Sequence, residues 1–201
     1  MYVPAHFAAT DEDVRELLAN HGAADLVTAT ADGLVATLLP FVHDPSRHAL
    51  LGHVARNNDQ WQRPVLGEAL VIVRGPDAYI SPTWYASKAE HGRVVPTWNY
   101  VTAHVYGTLT VHDDPEWVGD IVRRLTARHD STWSVDDAPP AFVAGQLRAI
   151  VGVELAIIRV EAKLKLSQNR PAADIDGVVT GLRNRGDEAS AAAVQRHRPE
   201  G

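Results

Sequence analysis

The apolar residues of this chain recur mainly at alternate positions, which is typical of half-buried β-strands. Two such segments, DLVTAT and LVATLLPF, flank the turn Ala31-Asp32-Gly33 and predict a hairpin, because Asp-Gly supplies the positive φ that a tight turn needs. A second turn, Asp44-Pro45-Ser46, leads into the segment ALLGHV. Three strands joined by short turns predict an antiparallel meander.

Three further strands are predicted later in the chain. The segment EALVIVRG ends at Gly75-Pro76, TWNYVTAHVYGTLTVH alternates and is rich in Thr, Val and Tyr, and VELAIIRVEAKLKLSQNR alternates again. Together the strands predict a β-barrel-like antiparallel sheet with helices packed around it, which is an α+β fold.

Helices are predicted at both ends of the chain and between the last two strands. Thr10 predicts the start of a helix, because its side chain can cap the first turn. The three acidic residues that follow it interact favourably with the positive end of the helix dipole. Pro115 opens a helix whose apolar residues fall on one face, and another helix is predicted from Pro140 to Ile150. From Pro171 on, the spacing predicts one more helix and then an Ala-rich helix that frays.

The length of 201 residues suits one domain, and no repeat or linker divides the chain. We expect a single domain over residues 1–186 and a helical tail over 187–201.

A net charge of −6 gives no general attraction for nucleic acid, and the absence of cysteine excludes disulfides and thiolate chemistry. The first residues lack a basic region before an apolar run, and no stretch approaches a membrane span, so we expect a cytoplasmic protein.

The most aromatic stretch, residues 75–110, connects two predicted strands and enters the second. It contains Trp84-Tyr85 and Trp98-Asn99-Tyr100, together with Lys88. Loops are normally polar and carry function when they are not, so the cluster predicts a stacking surface for a flat ligand or a partner subunit. The alternative is that these aromatic side chains fill an edge of the core.

A polar segment, ARNNDQWQRP, breaks the strand pattern after Val54. It predicts a short helix or turn whose guanidinium and amide groups are suited to a phosphate. A solvated loop is the alternative, and the segment taken alone favours that alternative.

Common catalytic motifs are absent from the sequence. It has neither a glycine-rich nucleotide loop nor a GxSxG elbow, and its ten histidines lack the spacing of a metal site. What remains is the polar segment, the aromatic cluster and a basic strand end, AKLKLSQNR. This combination suits a planar, phosphorylated cofactor such as flavin mononucleotide (FMN), which needs a phosphate clamp, polar groups along its pyrimidine edge and an apolar wall.

Five ordered motifs carry a resemblance that runs almost from end to end. They are MYVPAHF at residues 1–7, GHVARNNDQW at 52–61, GPDAYISPTWY at 75–85, VPTWNYVTAHVYG at 95–107 and AKLKLSQNR at 162–170. With these motifs the chain resembles the PaiB family of FMN-binding negative transcriptional regulators. The resemblance implies an FMN-binding split β-barrel, related to pyridoxamine-phosphate oxidase and flavin reductase-like proteins, and a homodimer with FMN at the subunit interface.

The chain departs from the family pattern at two places. Asn57-Asn58-Asp59 stands where relatives tend to have Ala-Asn-Pro, and Leu164 stands where an aromatic residue is common. The first departure puts an acid close to the expected phosphate clamp and lowers the expected affinity for FMN.

Residue chemistry and resemblance together imply a set of cofactor contacts. We expect Arg56, Asn57 and Gln60 to approach the FMN phosphate and Thr37 to meet the ring system. The resemblance implies that the other subunit covers the ring with a tryptophan and a polar rim. The candidate FMN-binding residues are Thr37, His53, Arg56, Asn57, Gln60, Trp61, Trp84, Lys88, Trp98, Asn99, Lys163, Ser167, Gln168 and Arg170.

Three functions remain open at this point. The first is a flavin-binding regulator or sensor, the second a flavin-dependent oxidoreductase of the flavin reductase or pyridoxamine-phosphate oxidase type, and the third a ligand-free dimerisation module. The sequence identifies no catalytic residue and no metal ligand. Direct DNA binding is doubtful, because no helix-turn-helix is evident and the net charge is negative.

Overall fold

In the computed structural model, which describes residues 1–199, six β-strands form a closed barrel in the order β1-β2-β3-β6-β5-β4. The registers established for β1 with β2 and β4, and for β3 with β2 and β6, are antiparallel. The predicted hairpin and meander are confirmed, and Gly33 has the positive φ (113°) that the turn requires. The strands are β1 Ala23–Thr30, β2 Gly33–Asp44, β3 Ala49–Ala55, β4 Ala69–Ile80, β5 Thr97–His112 and β6 Ile150–Lys165.

The helices α1 to α6 are Asp11–Asn20, Ser87–His91, Pro115–His129, Pro140–Leu147, Ala172–Asn184 and Glu188–Arg196. Helix α1 begins where predicted: the Thr10 hydroxyl accepts from Asp13 N (3.1 Å) and the Asp13 carboxylate accepts from Thr10 N (2.8 Å). The polar segment after β3 forms a short 3-10 helix, Asp59–Gln62.

Two predicted boundaries were wrong. Helix α4 ends at Leu147 rather than Ile150, because Ile150 already begins β6. Strand β4 does not stop at Gly75-Pro76 but continues to Ile80. Proline removes a hydrogen-bond donor yet remains compatible with extended backbone, so a strand can pass through it.

Residue contacts divide the chain into two units. The barrel unit consists of residues 16–73 and 104–161, and the terminal unit consists of residues 1–15, 74–103 and the chain from 162 onward. Strands β4, β5 and β6 each run from one unit into the other along the chain. Each polar cluster described below lies within a single unit.

The core of the barrel unit is made by side chains that alternate along the strands. Leu26, Phe41, Leu50, Val71 and Leu155 are at most 1% exposed. Helix α3 closes one side of this unit through a further apolar cluster, formed by Ala49, Leu51, Ile121 and Leu125. The apolar face that the sequence predicts for α3 therefore packs against the strands of this unit.

The core of the terminal unit lies around the helix pair α5 and α6. Ile175, Val178, Leu182, Ala191 and Val194 are at most 2% exposed. The predicted fraying of residues 187–201 stays a prediction: Glu188–Arg196 are helical, and residues 200–201 lie outside the described part of the chain. Within residues 1–199, no helix is long and apolar enough to cross a membrane.

Candidate functional site

The turn after β3 is tied to the barrel unit by a side-chain network. Asn58 accepts a hydrogen bond from Gln60 N (3.0 Å) and donates one to the Thr37 hydroxyl (2.8 Å), which itself donates to Gln60 Oε1 (2.5 Å). The Gln60 side chain is 1% exposed. Its amide nitrogen donates to Leu26 O (3.2 Å), Thr28 Oγ1 (3.0 Å) and Val35 O (3.3 Å). Gln60 thus uses both ends of its amide inside the protein and fixes the turn.

Arg56 in the same turn is also engaged within the barrel unit. Its guanidinium donates to both carboxylate oxygens of Asp113 (3.0 and 2.5 Å), and its Nε donates to Arg148 O (2.7 Å). The hydrogen bonds from Arg56 lower the pKa of Asp113. The Trp61 indole donates to Arg56 O (3.0 Å), whereas the neighbouring Asn57 is exposed. Arg56 therefore serves first as an anchor between β3 and the end of β5.

A second polar cluster lies in the terminal unit, where β5 begins and β6 ends. The side chains of Asn99 and Ser167, only 1% and 4% exposed, bond to each other, with Asn99 Nδ2 donating to Ser167 Oγ at 3.0 Å. Ser167 has φ 67°, a left-handed conformation that a residue with a side chain seldom adopts. Lys165 Nζ donates to the Thr97 hydroxyl and to Trp98 O (2.6 Å).

These residues line a cavity of about 110 Å³, named here the β6-end cavity. Lys165 and Arg170 are its charged residues, and no lining residue is acidic. Burial lowers the pKa of Lys165, and the neighbouring charges of Lys163 and Arg170 lower it further. The cavity is therefore a donor-rich, electropositive site. Its lining residues are Phe7, Thr97, Asn99, Lys165, Ser167, Asn169 and Arg170.

Two other predicted residues of this strand end have structural partners. Lys163 is 8% exposed, donates to Tyr2 O (3.2 Å) and lies 5.5 to 5.9 Å from the ring centroids of Tyr2, Phe7 and Tyr100. Gln168 closes the turn after β6: it accepts from Leu166 N (2.7 Å) and donates to Leu164 O (2.6 Å). Both residues support the cavity without lining it.

The predicted aromatic surface is divided between packing and exposure. The Trp84 ring lies against Gly181 of α5, so closely that a Cβ on that glycine would be 2.3 Å from it. Trp98 is 51% exposed and meets Tyr79 edge-on, with ring centroids 6.2 Å apart. Lys88 is exposed on α2. Trp84 therefore packs against the protein, as the alternative of a filled core edge predicts. Trp98 remains accessible to a ligand or a partner.

The structure brings together three of the predicted residues, Asn99, Ser167 and Arg170, in the β6-end cavity. The list of candidate FMN-binding residues omits Thr97, Lys165 and Asn169, although all three line the cavity. Lys165 and Asn169 lie in the basic strand end AKLKLSQNR, which as a segment was predicted to suit a flavin. The spacing of Thr97 and Lys165 was a usable signal, because residues two apart on a strand share a face: Thr97 with Asn99 and Lys163 with Lys165. His53 is half-buried in the barrel unit and lines a different, apolar cavity.

Comparison with known proteins gives a family, a relative and a fold. The sequence model described as "Putative FMN-binding domain" matches residues 1–159. The Bacillus subtilis "Protease synthase and sporulation protein PAI 2" is 30% identical over 191 residues, which cover 92% of this chain and 90% of that protein.

Two solved structures share the fold at low sequence identity. The flavocytochrome Anf3 from Azotobacter vinelandii has a TM-score of 0.62 at 14% identity, covering 81% of this chain and 72% of that one. The FAD and heme binding protein from Mycobacterium smegmatis has a TM-score of 0.58 at 17% identity, covering 86% and 78%. The predicted α+β split β-barrel is confirmed.

Proposed function

The chain belongs to the PaiB family of FMN-binding split-barrel proteins, and we propose that it acts in regulation or sensing as a flavin-binding homodimer. The cofactor is FMN. The observation that carries the proposal is the β6-end cavity, which joins two cations to neutral donors without an acid. Such a set matches the electron-rich polar edge of a flavin ring better than it matches a cation or an apolar ligand.

The residues of the β6-end cavity fit this cofactor in their chemistry. The pyrimidine edge of a flavin presents carbonyl and ring-nitrogen acceptors, and Lys165, Arg170 and Asn99 are donors. The Lys165 ammonium has three N–H groups and donates two of them to Thr97 Oγ1 and Trp98 O, so the third is available to a ligand. When bound, FMN supplies reversible electron uptake, and a fixed cation beside its ring stabilises the more negative state.

The turn after β3 remains our proposal for the phosphate. Because Arg56 and Gln60 are held by protein partners, we assign them the task of positioning the turn. The exposed Asn57 is then the residue of this turn that we assign to the phosphate. Asp59 in this turn is paired with Arg63 at 2.7 Å, which offsets the acid that the sequence places there.

A homodimer is supported by an apolar outer face of the barrel unit. On β2, Leu34 is 77% exposed and Leu38 is 66% exposed. Ala36 lies between them and pairs with Val27 of β1, which pairs in turn with Leu70 of β4. A continuous apolar area of this kind marks an interaction surface, and a second copy of the chain is the occupant that we propose.

Regulation through a partner is favoured over direct DNA reading. Helices α5 and α6, both predicted from the sequence, are joined by the short turn Arg185-Gly186-Asp187. Two arginines of this region already have acceptors: Arg183 bonds to Gln195 (2.9 Å), and Arg198 bonds to Asp176 (2.5 Å). Paired arginines and a net charge of −6 provide little phosphate attraction. A sequence-specific DNA complex tighter than about 10⁻⁸ M would contradict this part of the proposal.

A flavin-dependent oxidoreductase is the second candidate, and the electropositive β6-end cavity favours it because a nearby cation stabilises a reduced flavin. Steady-state oxidation of NADH and NADPH with added FMN separates the two functions. Turnover would favour the oxidoreductase, and FMN binding without turnover would favour the regulator.

Flavin binding itself is tested by the absorbance spectrum of the purified protein and by titration with FMN and with riboflavin. We expect saturable binding of FMN and weaker binding of riboflavin, because riboflavin lacks the phosphate. Absence of binding to either flavin would overturn the proposed function. It would favour the third hypothesis, a ligand-free dimerisation module.

A further inference from the structure

An apolar cavity of about 260 Å³ lies in the barrel unit, between α3, α4 and the ends of β3 and β6. Eight of its ten lining residues are apolar, and none is charged. Two large aromatic side chains form part of its wall and remain accessible, Trp133 at 47% and Phe142 at 59% exposure. The deeper wall includes Val122, Val135, Leu147 and Ile150.

His53 is one of the two polar residues in this wall, the other being Gln146. Its Nδ1 is buried and has no hydrogen-bond partner among the described residues. Burial lowers the pKa of His53, so the ring stays neutral at pH 7. A neutral imidazole has one donor and one acceptor nitrogen, and with Nδ1 buried the ring offers Nε2 to a ligand.

The lining decides which ligands suit the cavity. A phosphate or carboxylate would meet no cation there, so the phosphorylated cofactor is a poor match. A dry cavity of about 150 Å³ is enough for benzene, and the larger volume here leaves room for a second ring. Accessible tryptophan and phenylalanine rings add a stacking wall.

We propose that this cavity, named here the His53 cavity, binds a neutral planar molecule of one or two aromatic rings that carries a single hydrogen-bonding group for His53. The site is independent of the proposed FMN contacts at the β6 end. It gives the protein a place for a small apolar effector or substrate of aromatic character.

The test uses two probe molecules of equal shape, indole and indene, titrated calorimetrically into the full-length protein. Indole carries one N–H group and indene has none. We expect saturable one-to-one binding of indole with a dissociation constant of about 1 mM or tighter, given its few heavy atoms. Indene should bind about two- to tenfold more weakly, the range for one neutral hydrogen bond.

A matched pair of variants locates the binding. Ala138→Phe puts a large side chain into the lining and should reduce indole affinity at least tenfold, whereas Ala141→Phe, exposed on α4 and outside the lining, should leave it unchanged. Circular dichroism and FMN titration of both variants report whether they fold.

Three results would overturn the inference. They are no saturable indole binding by the unsubstituted protein, equal indole affinity in the two folded variants, and competitive displacement of indole by FMN, which would assign the cavity to the cofactor. Because FMN binding is measured separately, failure of the His53 cavity is distinguishable from failure of the proposed flavin function.

Discussion

The side chains of Asn99 and Ser167, 68 positions apart in the sequence, bond to each other in the interior of the terminal unit at 3.0 Å. This contact holds the start of β5 against the turn that follows β6, and it accompanies the left-handed backbone of Ser167 (φ 67°). A strained residue persists only where its surroundings determine its conformation, and such residues concentrate at ligand sites. The two bonded side chains therefore form a fixed part of the wall of the β6-end cavity.

Close packing of Trp84 on α5 makes Gly181 sensitive to substitution. Gly181→Ala should destabilise the protein by about 1–3 kcal/mol in chemical denaturation, because its Cβ would lie 2.3 Å from the Trp84 ring. Gly145→Ala on α4 is the matched control: its Cβ would meet only Arg148 at 3.9 Å, so helix propensity should raise stability by up to about 1 kcal/mol. Equal effects of the two substitutions would contradict the packing that we describe.

His21 should make stability depend on pH. Its Nδ1 contacts Leu18 O (2.7 Å), and its Nε2 is buried with no hydrogen-bond partner within residues 1–199. A proton on Nε2 would therefore be a buried, unpaired charge. Burial lowers the pKa of His21 from 6.5 to about 4. Between these values the unfolded chain binds the proton more strongly than the folded one. The free energy of unfolding should therefore fall as the pH drops from 6.5 towards 4, by about 3 kcal/mol from this residue.

The pH prediction is checked by denaturation of the unsubstituted protein and of His21→Gln between pH 7 and pH 4. The variant should show a flatter profile, because it lacks the group that titrates. His91→Gln, at an exposed position, serves as the control and should keep the original profile. An unchanged profile in His21→Gln would rule out the assignment.

The proposed dimer predicts that a charge on the outer face of β2 separates the subunits. The unsubstituted protein should have twice the mass of the 21.9 kDa chain in light scattering, with an interface of about 2,000 Å² or more. Leu38→Glu should shift it towards the monomer, whereas Ile158→Glu should not, because Ile158 is 57% exposed on β6, whose neighbours in the barrel are β3 and β5. A monomer at micromolar concentration before any substitution would contradict the proposal.

Much of the fold could be predicted because its signals are local. The Asp32-Gly33 turn, the Thr10 cap and the alternation along β5 each depend on residues a few positions apart. The end of β4 could not be predicted in the same way, since Gly75-Pro76 is a stop signal only when the neighbouring strand requires the missing donor.

The candidate site was harder to predict than the fold. Whether a hydrogen-bond donor is free for a ligand depends on acceptors that lie far away in the sequence. Arg56 has the chemistry of a phosphate clamp, but Asp113, 57 positions away, occupies its guanidinium. The side-chain amide of Gln60 likewise donates to Leu26 O and Thr28 Oγ1 on β1 and to Val35 O on β2. By contrast, Lys165 shares a strand face with Lys163, but only its contacts with Thr97 and Trp98, 68 and 67 positions away, place it in the cavity wall.

We propose that the β6-end cavity, with a volume of about 110 Å³, binds the polar edge of the flavin rather than the whole ring system, and the FMN dissociation constant of Lys165→Met tests this claim. Fluorescence titration should show about ten- to a hundredfold weaker binding than the unsubstituted protein, the cost of one charge-assisted hydrogen bond. Arg93→Met is the matched control, because it also removes one positive charge, and Arg93 is exposed and lines no part of the cavity; it should bind FMN as before. Equal dissociation constants for the unsubstituted protein and Lys165→Met would contradict the claim.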